Sequence, residues 1–374
     1  MRHSSIHDSP FSGTWYPDDL SELIKLLDGA WAESGKRLPG LPLSGGVAFV
    51  VPHAGLAYSG QVAAAVYRHL EHQKPKRVIL AGFSHRGGKP GIHIPEIEGY
   101  STPLGVVGID RELARALAAS EPFHSAPEAA LCDHSVEIQL PLLQRAVPQA
   151  TVVPLYVNSL DAGARDTAAR RLAEYVSADT VLVASSDLTH FGRGFHYQPF
   201  DADDMVRERL RQLDRQLMEA AGTLDVEFFC RALRETSAMV CGHEPIALLL
   251  ATVSRLAERE EFYQQVLDYQ TSGELTGDFH SSVSYGAIGY FPYSSFELNP
   301  EECAAVISRA RQTLARYQES GEASIPTLAP SGCPALARHA AMFVTLHKDG
   351  ELRGCLGRTE TPQSIEEATV ELTI

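Results

Sequence analysis

Three of the fifteen histidines in this 374-residue chain stand directly after short apolar runs. Val50-Val51 leads into Pro52-His53-Ala54-Gly55, and Ala81-Gly82-Phe83 leads into Ser84-His85-Arg86-Gly87. Val183-Ala184 leads into Ser185-Ser186-Asp187-Leu188-Thr189-His190. Imidazole is the commonest side-chain metal ligand and works as a base near neutral pH. One histidine at a strand end is more often a hydrogen-bonded turn residue than a ligand. Three at equivalent positions point instead to a shared site. Asp187 and His190 are three residues apart and share a face if the stretch turns helically. Asp187 could then orient a neighbouring imidazole or bind a metal itself.

Two further clusters carry chemistry. Cys132-Asp133-His134-Ser135-Val136-Glu137 has two readings of equal weight. It is either a helix N-terminus capped by Asp133 or a face that brings His134 and Glu137 to the site. In Val240-Cys241-Gly242-His243-Glu244-Pro245, Cys241 precedes a helix, where thiolate is favoured. The commoner role of a lone cysteine is a buried structural one. The six cysteines form no Cys-x-x-Cys pair, so neither a zinc ribbon nor an iron–sulfur cluster is implied. No Gly-x-Ser-x-Gly elbow, phosphate-binding glycine loop or His-Glu-x-x-His motif occurs, which disfavours serine hydrolases, P-loop NTPases and zincins.

The elements that must position these residues alternate. Apolar, β-branched runs at 47–51, 77–83, 151–157 and 180–184 predict buried parallel strands. Amphipathic stretches at 61–70, 111–120, 135–147 and 162–176 lie between or beside them. This predicts an α/β fold: a mixed, largely parallel central sheet with helices on both faces. Ligands bind such sheets at the carboxyl ends of the strands, where the histidines stand. Beyond residue 201 the pattern is more helical, at 201–220, 225–234 and 246–256, before strand-like segments at 261–269 and 281–291.

A break near 292–300 precedes a new helix with Asn299 as N-cap. A Pro/Ser/Gly-rich loop follows at 320–333, then a hairpin turning at Asp349-Gly350 and a helix at 364–372, together a partial α+β domain. Arg353 and Cys355 are the functional candidates there, against the plainer reading of a tight Gly354 turn and a packed cysteine.

Hydrophobic residues make up 44% and charged residues 21%, an ordinary globular mix. The net charge of −15, acidic on both sides of Ser294, argues against a nucleic-acid or membrane-surface partner. No apolar stretch approaches the ~20 residues that span a bilayer, and the polar start lacks a secretory core. A cytoplasmic location is the expectation.

Gly13-Thr-Trp-Tyr-Pro17, Val51-Pro-His-Ala-Gly55, Gly82-Phe-Ser-His85, Cys132-Asp-His-Ser-Val-Glu137, Ser185-Ser-Asp-Leu-Thr-His190 and Val240-Cys-Gly-His243 occur in the order of the Memo family, which the chain resembles over about residues 8–293. The Memo fold is similar to that of class III extradiol dioxygenases, which use non-haem iron(II). Phe343-Val-Thr-Leu and Leu352-Arg-Gly-Cys-Leu-Gly357 resemble the start of the AMME-syndrome candidate family. The two families often accompany a radical-SAM protein in a grouping called AmmeMemoRadiSam. The resemblance implies a Memo-like domain at 1–293, a linker at 294–300 and a partial, truncated AMME-type domain at 301–374.

The resemblance further implies His53, His85 and Cys241 as metal ligands, with iron(II) first and copper or zinc as alternatives. Asp187 and His190 become the catalytic neighbours, His190 moving a proton. Trp15 lines the same cleft, and His134 joins it as a substrate-binding candidate. Cys241 stands where the dioxygenases have a carboxylate, a softer donor that also suits copper(I) or zinc. Three functions are compatible with this: a metal-dependent redox enzyme acting on a small aromatic or chelating substrate, a peptide- or protein-binding adaptor, and a zinc-dependent hydrolase. A radical-SAM protein is the expected partner.

Overall fold

The computed structural model describes residues 6–38, 42–127, 131–321, 336, 340–359 and 363–374. One compact unit comprises Met1–Leu38 with Ser44–Ser295, and a second comprises Pro39–Leu43 with Phe296–Ile374. The first opens with β1 (Ile6–Asp8), α1 (Leu20–Arg37), β2 (Ala48–Val51), α2 (Leu56–Gln73) and β3 (Arg77–Gly82). Short strands follow: β4 (Ile92–Pro95), β5 (Gly99–Thr102) and β6 (Gly105–Gly108), then α3 (Arg111–Ala118) and β7 (Phe123–Ala126). Next come α4 (His134–Glu137), α5 (Gln139–Ala146), β8 (Thr151–Val157), α6 (Ala162–Ala173), β9 (Thr180–Ser185) and β10 (His190–Gly192). The unit closes with α7 (Val206–Gly222), α8 (Val226–Thr236), α9 (His243–Leu256), β11 (Phe262–Thr271), α10 (Ser272–Thr276) and β12 (Ser281–Pro292).

The main sheet runs β10-β12-β2-β9-β3-β8-β4-β7, with β11 also paired to β12. Its centre is parallel, as the four apolar runs predict: β2 with β9, β9 with β3, and β3 with β8. The flanks reverse, since β12 lies antiparallel to β2 and β4 antiparallel to β8. The sheet is therefore mixed, with helices flanking it. Ala48, Phe49, Val50 and Val51 are all fully buried, which is why that run carries no polar alternation. The parallel register aligns Val51 with Ser185 and Ala81 with Ala184, so the tips after β2, β3 and β9 end at one edge.

The amphipathic stretch predicted at 135–147 divides into α4 and α5 at Ile138. The 187–190 stretch does not turn helically. His190 instead begins β10, pairing with Val283.

The second unit contains α11 (Pro300–Ser320), β13 (Met342–Lys348), β14 (Glu351–Arg358) and α12 (Ile365–Thr373). Asn299 caps α11 in a reciprocal box with Glu302. The hairpin turns at Asp349 and Gly350, both with positive φ, as predicted. The remaining expectation there is corrected. Gly354 lies within β14 opposite Leu346, and Cys355 is exposed rather than packed, accepting a bond from Thr345. Most of the 320–333 loop, with Cys333, lies outside the described residues. Among the described residues no helix is long and apolar enough to cross a membrane.

His69 in α2 supplies a pH test of the core. Its Nδ1 lies 2.7 Å from the Ala65 carbonyl oxygen, and its ring faces Phe49 and Phe291. Burial pushes its pKa down to about 4. The unfolded chain, near the ordinary value of about 6.5, binds the proton more readily. Stability is therefore full above pH 6.5 and falls as pH drops toward 4, by up to ~3 kcal/mol from this residue. His69→Leu should flatten that slope in denaturant titrations between pH 7 and 4.5. An unchanged slope would mean that His69 is protonated in the fold.

Candidate metal centre

His53 follows β2, and its backbone and side chain are fixed separately. Its N–H donates to Asp187 Oδ1 at 2.7 Å, and Ala54 N–H reaches the same oxygen at 3.3 Å. One buried carboxylate thus ties the tip of β9 to the tip of β2. The ring Nδ1 lies 3.2 Å from Ser185 Oγ. Gln139 Nε2 donates to that hydroxyl at 2.9 Å and to the Pro52 carbonyl at 2.8 Å, while Tyr67 O–H donates to Gln139 Oε1. With Nδ1 engaged, Nε2 is the free donor, and it stands 3.1 Å from Cys241 Sγ.

His85, after β3, is held from the other side. Its N–H donates to Asp133 Oδ2 at 3.1 Å, and its Nδ1 lies 2.8 Å from Asp133 Oδ1. Asp133 also caps α4 through Ser135 N–H. The cap reading holds, and the cap residue also orients His85, whereas of the proposed His134–Glu137 face only His134 reaches the site. Ser135 Oγ donates to Phe83 O and accepts from Phe83 N–H, docking the β3 tip on α4. A Cβ at Gly82 would meet Ser135 Oγ at 2.7 Å, so glycine is needed for that approach.

His134 stacks between His85 and Trp15, at ring distances of 4.1 Å and 3.9 Å. Glu137 points elsewhere, 2.8 Å from His7 Nε2. His190 is anchored through Nδ1, 3.2 Å from the Leu188 carbonyl, and its Nε2 lies 3.9 Å from Cys241 Sγ. His53, His85, His134, Asp187, His190 and Cys241 thus converge, with Trp15 reaching them through His134. Ligand atoms of His53, His85 and His134 lie within 4.8 Å of one another, as do those of His53, Asp187 and Cys241. His53 is common to both sets. The sequence pointed to Asp133 only as a cap and gave no signal for Ser185 or Gln139, which act through contacts distant in the chain.

The electrostatics are those of a desolvated site. Burial pushes the His53 pKa down to about 3, assisted by His85. Burial likewise brings His134 to about 3 against the pull of Asp133. Burial would raise Asp133, but its bond to His85, the neighbouring His134 and the Ser135 amide bring it down to about 2. Asp187 is pushed up to about 6 by burial, opposed by His190 and the amides of His53 and Ala54. The Cys241 thiol is raised well above its ordinary value by burial and by Asp187. This corrects the expectation of a favoured thiolate: α9 does begin at His243, but desolvation outweighs the helix end. Without a cation, Cys241 is a neutral thiol facing the neutral His53 ring.

Gly242 makes the turn that presents Cys241. Its φ is +84°, and a Cβ there would meet Ser185 O at 2.8 Å and Ser186 Cβ at 3.0 Å. Ser186 O–H donates to the Cys241 carbonyl, closing the turn onto the β9 tip. Gly242→Ala should therefore destabilise the protein by about 1–3 kcal/mol, from the left-handed backbone plus the contact. Denaturant midpoints measure this, and an unchanged midpoint would show that the turn is free to relax.

Residues 8–289 match the family described as Memo-like protein, and residues 307–374 match the family described as AMMECR1. A memo-1 homolog of Caenorhabditis elegans is 28% identical over 284 residues, covering 74% of this chain and 80% of its own. A MEMO1 family protein of Aquifex aeolicus is 32% identical over 286 residues, covering 75% of this chain and 97% of its own. The solved structure of an uncharacterized protein from Escherichia coli K12 aligns with a TM-score of 0.41 at 15% identity, covering 65% of this chain and 98% of that one. The chain belongs to the Memo family and carries its Memo-like region and an AMMECR1 segment in one polypeptide.

Proposed function

We propose that the cleft is a mononuclear metal centre, with His53, His85 and Cys241 as the protein ligands and a redox function on a small aromatic or chelating substrate. The observation that carries this reading is the arrangement of ring nitrogens. His53, His85 and His190 are each engaged through Nδ1, by Ser185, Asp133 and the Leu188 carbonyl, which leaves Nε2 rather than Nδ1 to face a metal or Cys241. That is how imidazole ligands are usually oriented around an ion. Two ligands at about 2.1 Å and 2.3 Å from one tetrahedral ion stand about 3.6 Å apart. The 3.1 Å between His53 Nε2 and Cys241 Sγ is close to this. The His53–Cys241 pair therefore suits a divalent ion, iron(II) first, with copper or zinc also suited to a thiolate.

Such an ion would supply open positions for substrate and oxygen. The chain's own residues do the rest. Asp187 holds the His53 amide and, with a pKa near neutrality, can take or release a proton. His190 keeps its Nε2 toward Cys241, where a substrate proton could be transferred. Trp15 and His134 form an aromatic wall beside the site.

Because the buried thiol must lose its proton to ligate, metal uptake releases one proton, and affinity should rise with pH across the neutral range. Protein purified anaerobically should carry close to one metal per chain by mass spectrometry. Cys241→Ala and His85→Ala should each lose most of it, and Asp133→Asn should bind about 10–100-fold more weakly. Full metal retention in Cys241→Ala and His85→Ala would overturn the ligand assignment. Zinc as the sole native metal would favour hydrolysis over redox chemistry.

A further inference from the structure

A buried carboxylate outside the donor set lies beneath the segment that carries His190. α7 turns Val206, Leu210, Asp214, Leu217 and Ala221 inward at three- and four-residue spacing. Asp214 alone in this stripe is charged, and it is completely buried. Such a group is retained at a cost unless its oxygens are hydrogen-bonded. Both are. Thr189 N–H donates to Oδ1 at 3.2 Å, and Tyr269 O–H donates to Oδ2 at 2.7 Å.

Thr189 lies between Asp187 and His190, and its neighbours are pinned on two further sides. Leu188 N–H donates to Ser284 O at 2.8 Å, and Ser284 N–H donates to Thr189 O at 2.9 Å. On the opposite flank Thr189 bridges antiparallel to Val240, the residue before Cys241, and His190 N–H donates to Met239 O at 3.0 Å. The Thr189 amide itself has Asp214 as its acceptor. We propose that Asp214 is a positioning residue: by holding the Thr189 amide it fixes residues 188–190 against 239–240, and so sets His190 and Cys241 at their 3.9 Å approach.

The alternative role, a core polar group with no bearing on the site, makes the opposite prediction. Asp214→Leu then lowers only global stability, through the two donors it leaves unpaired, with no exchange increase confined to 186–192 and 238–242. Asp214→Leu removes the acceptor for Thr189. Asp214→Asn keeps it, because its carbonyl can accept from Thr189 while its amide donates to Tyr269. Tyr269→Phe removes only the second donor.

The test combines two readouts on the full chain. Hydrogen exchange by mass spectrometry on metal-free protein follows peptides covering 186–192 and 238–242 against core peptides from β2 and β3. Titration with cobalt(II) chloride follows the thiolate-to-cobalt absorption band, and this arm alone rests on the proposed metal centre. Asp214→Leu should raise exchange at least about tenfold in both segments while the core peptides stay unchanged, and should weaken cobalt binding about 10–100-fold. Asp214→Asn and Tyr269→Phe should stay within about twofold of the wild type in both. Asp214→Ala replaces the leucine variant if that one fails to fold. Wild-type exchange in both segments of the leucine variant would overturn the inference, as would opening of the whole sheet. An Asp214→Asn variant as damaged as the leucine one would also overturn it, by making charge the cause. A wild-type protein that takes up cobalt without a thiolate band would overturn the metal reading, while the exchange arm still decides the role of Asp214.

Discussion

The desolvated contact between His53 and Cys241 is the constraint to which the site conforms. Each group alone would prefer water, and burial drives each toward its neutral form. Their 3.1 Å approach is sustainable as a neutral S–H···N pair or around a cation that replaces the proton. Each side of that contact has its own supports. Asp187 and Ser185 hold His53, while Gly242 and Ser186 hold the Cys241 turn. β9 supplies Ser185 and leads directly into Ser186 and Asp187, so a single strand end governs both halves.

The sheet explains how residues far apart in sequence reach this point. Four parallel strands align their carboxyl ends, and their continuous apolar runs are the price of burial on both faces. The tip of each strand is then released from the hydrogen-bond ladder and free to carry polar groups. Asp133 shows how economically these tips are joined, capping α4 with the same carboxylate that orients His85.

This division between strand and tip also accounts for what the sequence disclosed. The parallel strands and the histidines after them were legible, because apolar runs and their polar ends are local signals. The capping box at Asn299 and the Asp349-Gly350 turn were legible for the same reason. Strands β4 to β7 were not: each is four residues long and contains histidine, glycine or proline, so no periodicity develops. Helix α1 was missed as well, with Gly29 in its middle, Gly35 in its last turn and only a narrow inward stripe. The partners of the histidines were illegible in a deeper sense. Asp187 meets the His53 amide across 134 positions, and Gln139 meets Ser185 across 46. The spacing of Asp187 and His190 suggested a helical face, but β10 pairs with β12 and pulls His190 into an extended segment instead. In the metal-free site Cys241 is held as a thiol because a helix end is a weaker influence than complete burial.

X-ray absorption at the edge of the bound metal, on anaerobically purified protein, tests the central claim most directly. One sulfur scatterer at about 2.3 Å is expected together with imidazole nitrogens at about 2.0–2.1 Å, the sulfur vanishing in Cys241→Ser. A shell of nitrogen and oxygen alone in the wild-type protein would contradict it, because Cys241 would then stand beside the metal without binding it.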